Sequence, residues 1–212
     1  MQNPWDQFPI ELQGDEDATQ LYIAVGQALS KWETLEESLG ILFGVLCGTT
    51  SESAARAYGV VASSSGRVAM LREAFASSLV RNSPEFATFG VFLNRVNSFG
   101  SRRNDIAHGI VKGATLNEKW LGYHLVPPKH HSKKTMSTSR YLDIMMEDII
   151  NEDVWNEKMF GKYAYVSNQI HQYMIEFHKL NDGAVNFLME ARRLIWSKSG
   201  STMGIGLDGE AQ

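Results

Sequence analysis

The sequence predicts a mainly α protein, a helical bundle that carries one small inserted β-hairpin. Three observations lead there. Apolar residues recur every three or four positions over long stretches, the period of helices that bury one face. Capping residues bracket those stretches, with Asp, Ser or Ser-Pro ahead of them and Gly behind. Between 111 and 144 that period fails, and strand-forming residues bounded by turn formers take its place. The expected organisation is an arm over 1–16, one bundle domain over 17–196 with the hairpin at about 111–144, and a disordered tail over 197–212.

The elements follow in order. The arm is polar, and Trp5, Phe8 and Ile10 are placed to pin it to the body. Asp17 is a good N-cap for the first helix, whose apolar stripe is Leu21, Val25, Leu29, Trp32, Leu35, Leu39, Leu42 and Leu46, closed by Gly48. A second helix is expected over about 51–62, capped by Ser51, and a third after Ser65 with Val68, Leu71, Phe75 and Leu79 inward. Ser83-Pro84-Glu85 opens a fourth, which carries Phe86, Phe89, Phe92, Leu93, Val96 and Phe99. Lys112-Gly113 and Leu116-Asn117-Glu118 read as turns. Trp120, Tyr123, Leu125 and Val126 read as a strand that Pro127-Pro128 ends, with 141–144 as its return strand. The last long helix is expected to start after Asp153 or Asn156, with a stripe that includes Tyr163, Val166, Ile170, Tyr173, Phe177, Leu180, Ala184, Phe187 and Leu188.

Of 212 residues, 43% are apolar and 21% charged, enough for the core of an ordinary globular protein. The net charge of −4 argues against a sequence-blind nucleic-acid coat, which needs a basic surface, and leaves room for an enzyme with a small basic cleft. The single cysteine, Cys47, rules out an internal disulfide framework and fits a reducing cytoplasm. Its apolar neighbours suit a buried filler rather than a nucleophile. No apolar run approaches the ~20 residues of a membrane span, and the N-terminus lacks a basic-then-apolar signal pattern. A cytoplasmic location with no membrane partner is therefore expected.

The chemistry concentrates in Ser98-Phe99-Gly100-Ser101-Arg102-Arg103-Asn104-Asp105-Ile106-Ala107-His108-Gly109. Continued as helix from the Phe stripe, this run puts Asn104 and His108 on one face. Arg103 lies five residues before His108, about 140° round the helix, an angle that a long guanidinium side chain can cover. Gly109 is the usual residue for the left-handed turn that stops a helix. A cation and a titratable imidazole are thus held near a helix end, with Asn104 and Asp105 in reach to orient them.

Arg103, Asn104 and then His108 four residues later resemble the signature of the HEPN superfamily (higher eukaryotes and prokaryotes nucleotide-binding domain), and the full Arg-Asn-Asp-Ile-Ala-His-Gly run is similar to bacterial members. The resemblance covers roughly 17–109 and 163–196 and not the segment between. It implies an all-helical bundle that dimerises around the motif and, in active members, metal-independent cleavage of RNA with no cofactor. Carried onto this chain, Arg103 and His108 would be catalytic and Asn104 would orient the cleft. Members paired with a nucleotidyltransferase antitoxin often have a modifiable Tyr two residues after the motif His. Ile110 stands there in this chain, which does not support that mode of control. Control is then expected from a separate antitoxin or regulatory protein, or from targets limited in some other way.

Simple physics gives the same residues plainer roles. A His before a helix-ending glycine favours the negative end of the helix dipole, and Arg102 with Asp105, three apart, suits a surface ion pair. The expected substrate contacts beyond the motif are Arg102 and the basic loop of Lys129, His130, His131, Lys133 and Lys134, which can grip a phosphate backbone or simply be a solvated loop. His171 and His178, seven apart, do not have metal-ligand spacing, and Glu36 with Glu37 suits a wet helix face. No metal site, Walker loop or nucleophile elbow appears. The expected function is a homodimeric, metal-independent endoribonuclease in a toxin or phage-defence role. The alternative is a non-catalytic HEPN-like dimer that binds RNA, nucleotide or a protein partner.

Overall fold

The structure, a computed structural model, describes residues 13–49, 52–78, 84–116, 119–126 and 164–202. Helices take 79% of the described residues, and the remaining regular structure is one two-stranded antiparallel sheet. The order is α1 (Ala18–Leu46), α2 (Glu52–Val60), α3 (Ser64–Ser78), α4 (Pro84–Ala107), β1 (Ile110–Leu116), β2 (Lys119–Val126) and α5 (Ser167–Thr202). This is the helical bundle with a small hairpin that the sequence predicts.

Local signals set most ends. The Asp17 carboxylate accepts the Thr19 N–H at 2.8 Å and starts α1. Gly48, at φ 71°, lies in the left-handed region and turns the chain off the helix after Leu46. Cys47 is exposed in that turn, so it is not the buried filler expected: α1 ends one residue before it.

The chain divides into two compact units. One comprises Met1–Glu33 and Ser98–His178, the other Thr34–Asn97 and Lys179–Gln212. In the second, Leu35, Leu39, Leu42 and Leu46 are buried, as are Leu71, Phe75, Phe89, Phe92, Leu180 and Ala184. Phe89 stacks on Phe75 at 4.2 Å between centroids and meets Phe187 edge-on at 5.0 Å. Glu36 is not on a wet face. Its side chain is 11% exposed, pairs with Arg67 at 3.0 Å and faces the buried Tyr58 hydroxyl. Arg67 also donates to the Val61 and Gly59 carbonyls at 2.8 and 3.1 Å, which closes the end of α2.

The first unit holds the motif. Its α1 segment buries Leu21, Ala24, Ala28 and Trp32, while Val25 and Leu29 of the expected stripe are only half-buried. Trp32 meets Phe177 of α5 edge-on at 5.0 Å, and Phe99 of α4 meets the same ring at 6.2 Å.

The hairpin differs from expectation in its pairing. β1 follows directly after Gly109 and runs through Lys112 and Gly113, which had read as a turn, to pair Ile110 with Val126 and Leu116 with Lys119. The return strand is therefore upstream of β2; the expected one at 141–144 lies outside the described residues. The ring of Trp120 lies on Gly113, where a side chain would collide with it, so the glycine serves as a seat rather than a bend.

β2 is bordered on its other side by two isolated bridges, Asp15 with Tyr123 and Leu125 with Tyr165. Gly122, at φ 99°, lets the chain at Gly14 and Asp15 come this close. The same two contacts fix where α5 starts. The helix begins at Ser167, later than the 153–156 expected. Val166 precedes it and has no side-chain oxygen to cap with. Asp15 does that work instead, accepting the Ser167 N–H at 2.8 Å and the Ser167 hydroxyl, while the Gln169 side chain turns back to accept the Val166 N–H at 3.1 Å. α5 continues to Thr202, past the expected end at 196. Most of the expected arm, 1–12, and the end of the expected tail, 203–212, lie outside the described residues.

Candidate functional site

The end of α4 is oriented by Phe99 and Ile106, two turns apart and both buried. At about 100° per residue, that rotation places Arg102 about 50° to one side of the core direction and Arg103 about 50° to the other. Asn104 and His108 then point outward, and both are exposed. The helix persists to the motif His: its backbone N–H donates to the Asn104 carbonyl at 3.1 Å. Gly109 then ends it without the left-handed turn expected, for the described positive-φ glycines are Gly48 and Gly122. Its role is spatial. The Leu125 side chain of β2 occupies the place where a Cβ would stand, so only glycine lets the hairpin fold back so near the helix end.

Arg102 faces inward. Its Nη1 donates to the Asp105 carboxylate at 3.0 Å and to the Tyr165 hydroxyl at 3.2 Å, and Tyr165 donates in turn to the same Asp105 oxygen at 3.1 Å. The Asp105 side chain is 6% exposed and that of Arg102 22%, so this is a closed, mostly buried triangle rather than a surface ion pair. Burial, seconded by the Asp105 carboxylate, pushes the Tyr165 phenol far above its usual range. It therefore stays a neutral O–H donor. Burial by itself would lower the pKa of Arg102, but Tyr165, Tyr173 and Asp105 outweigh it and raise the value. The triangle braces the motif helix against Tyr165, which β2 holds through reciprocal bonds with Leu125 at 2.8 and 3.0 Å.

Arg103 faces the other way. Its Nη2 pairs with Glu33 of α1 at 3.0 Å and its Nη1 donates to Asn104 Oδ1 at 3.3 Å. The Arg103 side chain remains 30% exposed and that of Glu33 62%. Arg103 and Asn104 are thus joined directly, and His108 lies one helical turn beyond Asn104. Lys129, His130, His131, Lys133 and Lys134 lie outside the described residues. His171 and His178 are exposed on α5.

Three participants had no signal in the local sequence: Glu33, Tyr165 and Asp15. Each acts on a residue 60 or more positions away, with separations of 70 for Glu33–Arg103, 60 for Tyr165–Asp105 and 152 for Asp15–Ser167. Among the described residues, no cluster of three His, Cys, Asp or Glu side chains could hold a metal ion, and no helix is long and apolar enough to cross a membrane. No protein-family model, curated protein or solved structure matches the chain. The site is defined by its own geometry: a half-buried Arg103 beside the exposed Asn104 and His108 at a helix end, braced from beneath by a mostly buried Arg–Asp–Tyr triangle.

Proposed function

We propose that the protein is a metal-independent endoribonuclease of the HEPN type, working as a homodimer in a toxin or phage-defence role. The observation that supports this best is the sorting of groups at the end of α4. Arg103 stays at the surface on Asn104, and His108 is exposed one turn on, while the second arginine is spent on bracing the helix.

The chemistry needs few parts, because RNA carries its own nucleophile. The ribose 2′-oxygen attacks phosphorus and gives its proton to His108 of one copy. The bond to the 5′-oxygen breaks, and that oxygen takes a proton from His108 of the other copy. A 2′,3′-cyclic phosphate and a 5′-hydroxyl result. An imidazole titrates near neutrality and suits both roles, but each chain offers one motif His, so two roles call for two copies about a two-fold axis. Arg103 supplies paired donors and a permanent charge to the phosphorane oxygens.

A second reading, a non-catalytic dimer that binds RNA, nucleotide or a protein partner on the same surface, draws on the ion pair that already occupies Arg103. Incubation with total RNA in excess chelator separates the two. The nuclease reading expects cleavage with cyclic-phosphate ends, a loss of about 10²–10⁴-fold in His108→Ala and of about 10²–10³-fold in Arg103→Ala, and a smaller loss in Asn104→Ala. RNA left whole but still bound through Arg103 hands the site to the second reading. Cleavage that survives His108→Ala shows that other residues carry it.

A further inference from the structure

We propose that Glu33 is a built-in placeholder for substrate phosphate: it occupies the Arg103 guanidinium in the free protein and is displaced by a phosphodiester when RNA binds. The inference rests on the nuclease reading for the identity of the ligand, and it assigns a role to a residue on a different helix from the motif. Its basis is an incomplete contact. A guanidinium presents Nε–H and one Nη2–H side by side as a matched pair of donors, and the strong carboxylate and phosphate complexes use both at once. Glu33 Oε1 reaches Nη2 at 3.0 Å. The adjoining Nε–H is buried and has no acceptor among the described residues. Glu33 therefore grips half of the edge, and the other half bears the cost of a donor removed from water with nothing to donate to.

Glu33 is tethered to α1 and cannot choose its approach, whereas a phosphodiester in a flexible strand can. In the proposed exchange the departure of Glu33 uncovers this edge, and the phosphate places one oxygen on Nη2 and another on the Nε that is buried in the free protein, which satisfies the orphaned donor. The displaced carboxylate loses little, because its side chain is 62% exposed and turns readily to water. Asn104 Oδ1 remains on Nη1 and keeps the guanidinium plane from rotating as the exchange takes place. The placeholder also keeps Arg103 from binding weaker anions.

The test uses a DNA oligonucleotide of single strand, which lacks the attacking hydroxyl, so binding is read apart from cleavage. Glu33→Gln keeps the size and removes the charge. It is expected to tighten binding about two- to fivefold, the range that the loss of an exposed ion pair represents. Arg103→Ala should abolish the gain, so that Glu33→Gln/Arg103→Ala binds no better than Arg103→Ala alone. The salt dependence of binding should steepen in Glu33→Gln, since a cation no longer neutralised in the free protein now meets the strand. Unchanged or weaker binding in Glu33→Gln, or a gain that persists without Arg103, overturns the placeholder, and so does a failure of both proteins to bind. Cleavage of RNA by the wild type is scored separately: its absence with a Glu33→Gln gain intact refutes the nuclease reading and leaves the placeholder standing.

Discussion

Replacing Asp105 with alanine tests whether the motif helix is braced as the structure has it. The substitution removes the acceptor for Arg102 Nη1 and for the Tyr165 hydroxyl together. The Arg102 guanidinium, its side chain 22% exposed, loses that charged partner, with little water to replace the carboxylate. Breaking a buried pair by removing one partner costs about 3–5 kcal/mol. Arg102 keeps some access to solvent, so the low end, about 3 kcal/mol, is expected. With a urea slope of about 2 kcal/mol per molar, the midpoint of the transition that unfolds this part of the chain should fall by about 1.5 M. Tyr165→Phe removes a single hydroxyl bonded to charged groups and should cost about 1.5–3 kcal/mol. The double variant should cost less than the sum, because both changes break the same triangle. Equilibrium urea unfolding followed by fluorescence and circular dichroism reads these shifts. An Asp105→Ala protein within about 0.5 kcal/mol of wild type would mean that the pair behaves as a solvated surface contact and that the triangle does not brace the motif helix.

Two further predictions concern the frame of the site. Asp15→Ala should uncap α5 and cost about 0.5–2 kcal/mol, with faster hydrogen exchange at the Ser167 amide than elsewhere in the helix; uniform exchange along α5 would contradict the cap. An aspartate at Leu35 or Leu42, both fully buried, should cost several kcal/mol, on the order of 4, because it strands a charge among apolar side chains. Wild-type expression and melting temperature in either variant would show that the α1 stripe does not face a packed interior.

What the sequence disclosed well was local. Asp17 and Gly48 mark the ends of α1 because a cap and a left-handed turn each involve neighbours within a few positions. The Phe stripe of α4 emerged because burial of Phe89, Phe92 and Phe99 repeats at the helical period. The errors in the hairpin and at the start of α5 have one physical source, a partner remote in sequence. Lys112-Gly113 has the composition of a turn, yet it lies in a strand because the Trp120 ring uses the glycine as its seat. Val166 continues the apolar period of α5 and is buried, but the helix starts after it, where Asp15 provides the cap. Periodicity reports which residues face inward and does not tell a helix from the extended residue that leads into it.

The candidate site shows the same division more sharply. Arg102 and Arg103 are adjacent and chemically identical, and no local rule says which one serves the surface. The decision belongs to Phe99 and Ile106, whose burial sets the rotation of the helix about its axis. One residue of rotation, about 100°, in the sense that carries Arg103 into the place of Arg102 would send Arg102 out to solvent and turn Asn104 inward to the place of Arg103. The spacing of motif residues therefore carries chemical meaning only once the apolar residues between them are known to be inside. Tyr165 and the hairpin then make that rotation hard to lose: Leu125 holds Tyr165 on one side, and the Arg102–Asp105 pair receives its hydroxyl on the other. The hairpin is thus more than an insertion after the motif. Through Leu125, packed where Gly109 has no side chain, it fixes both the end of the helix and the face that the helix presents.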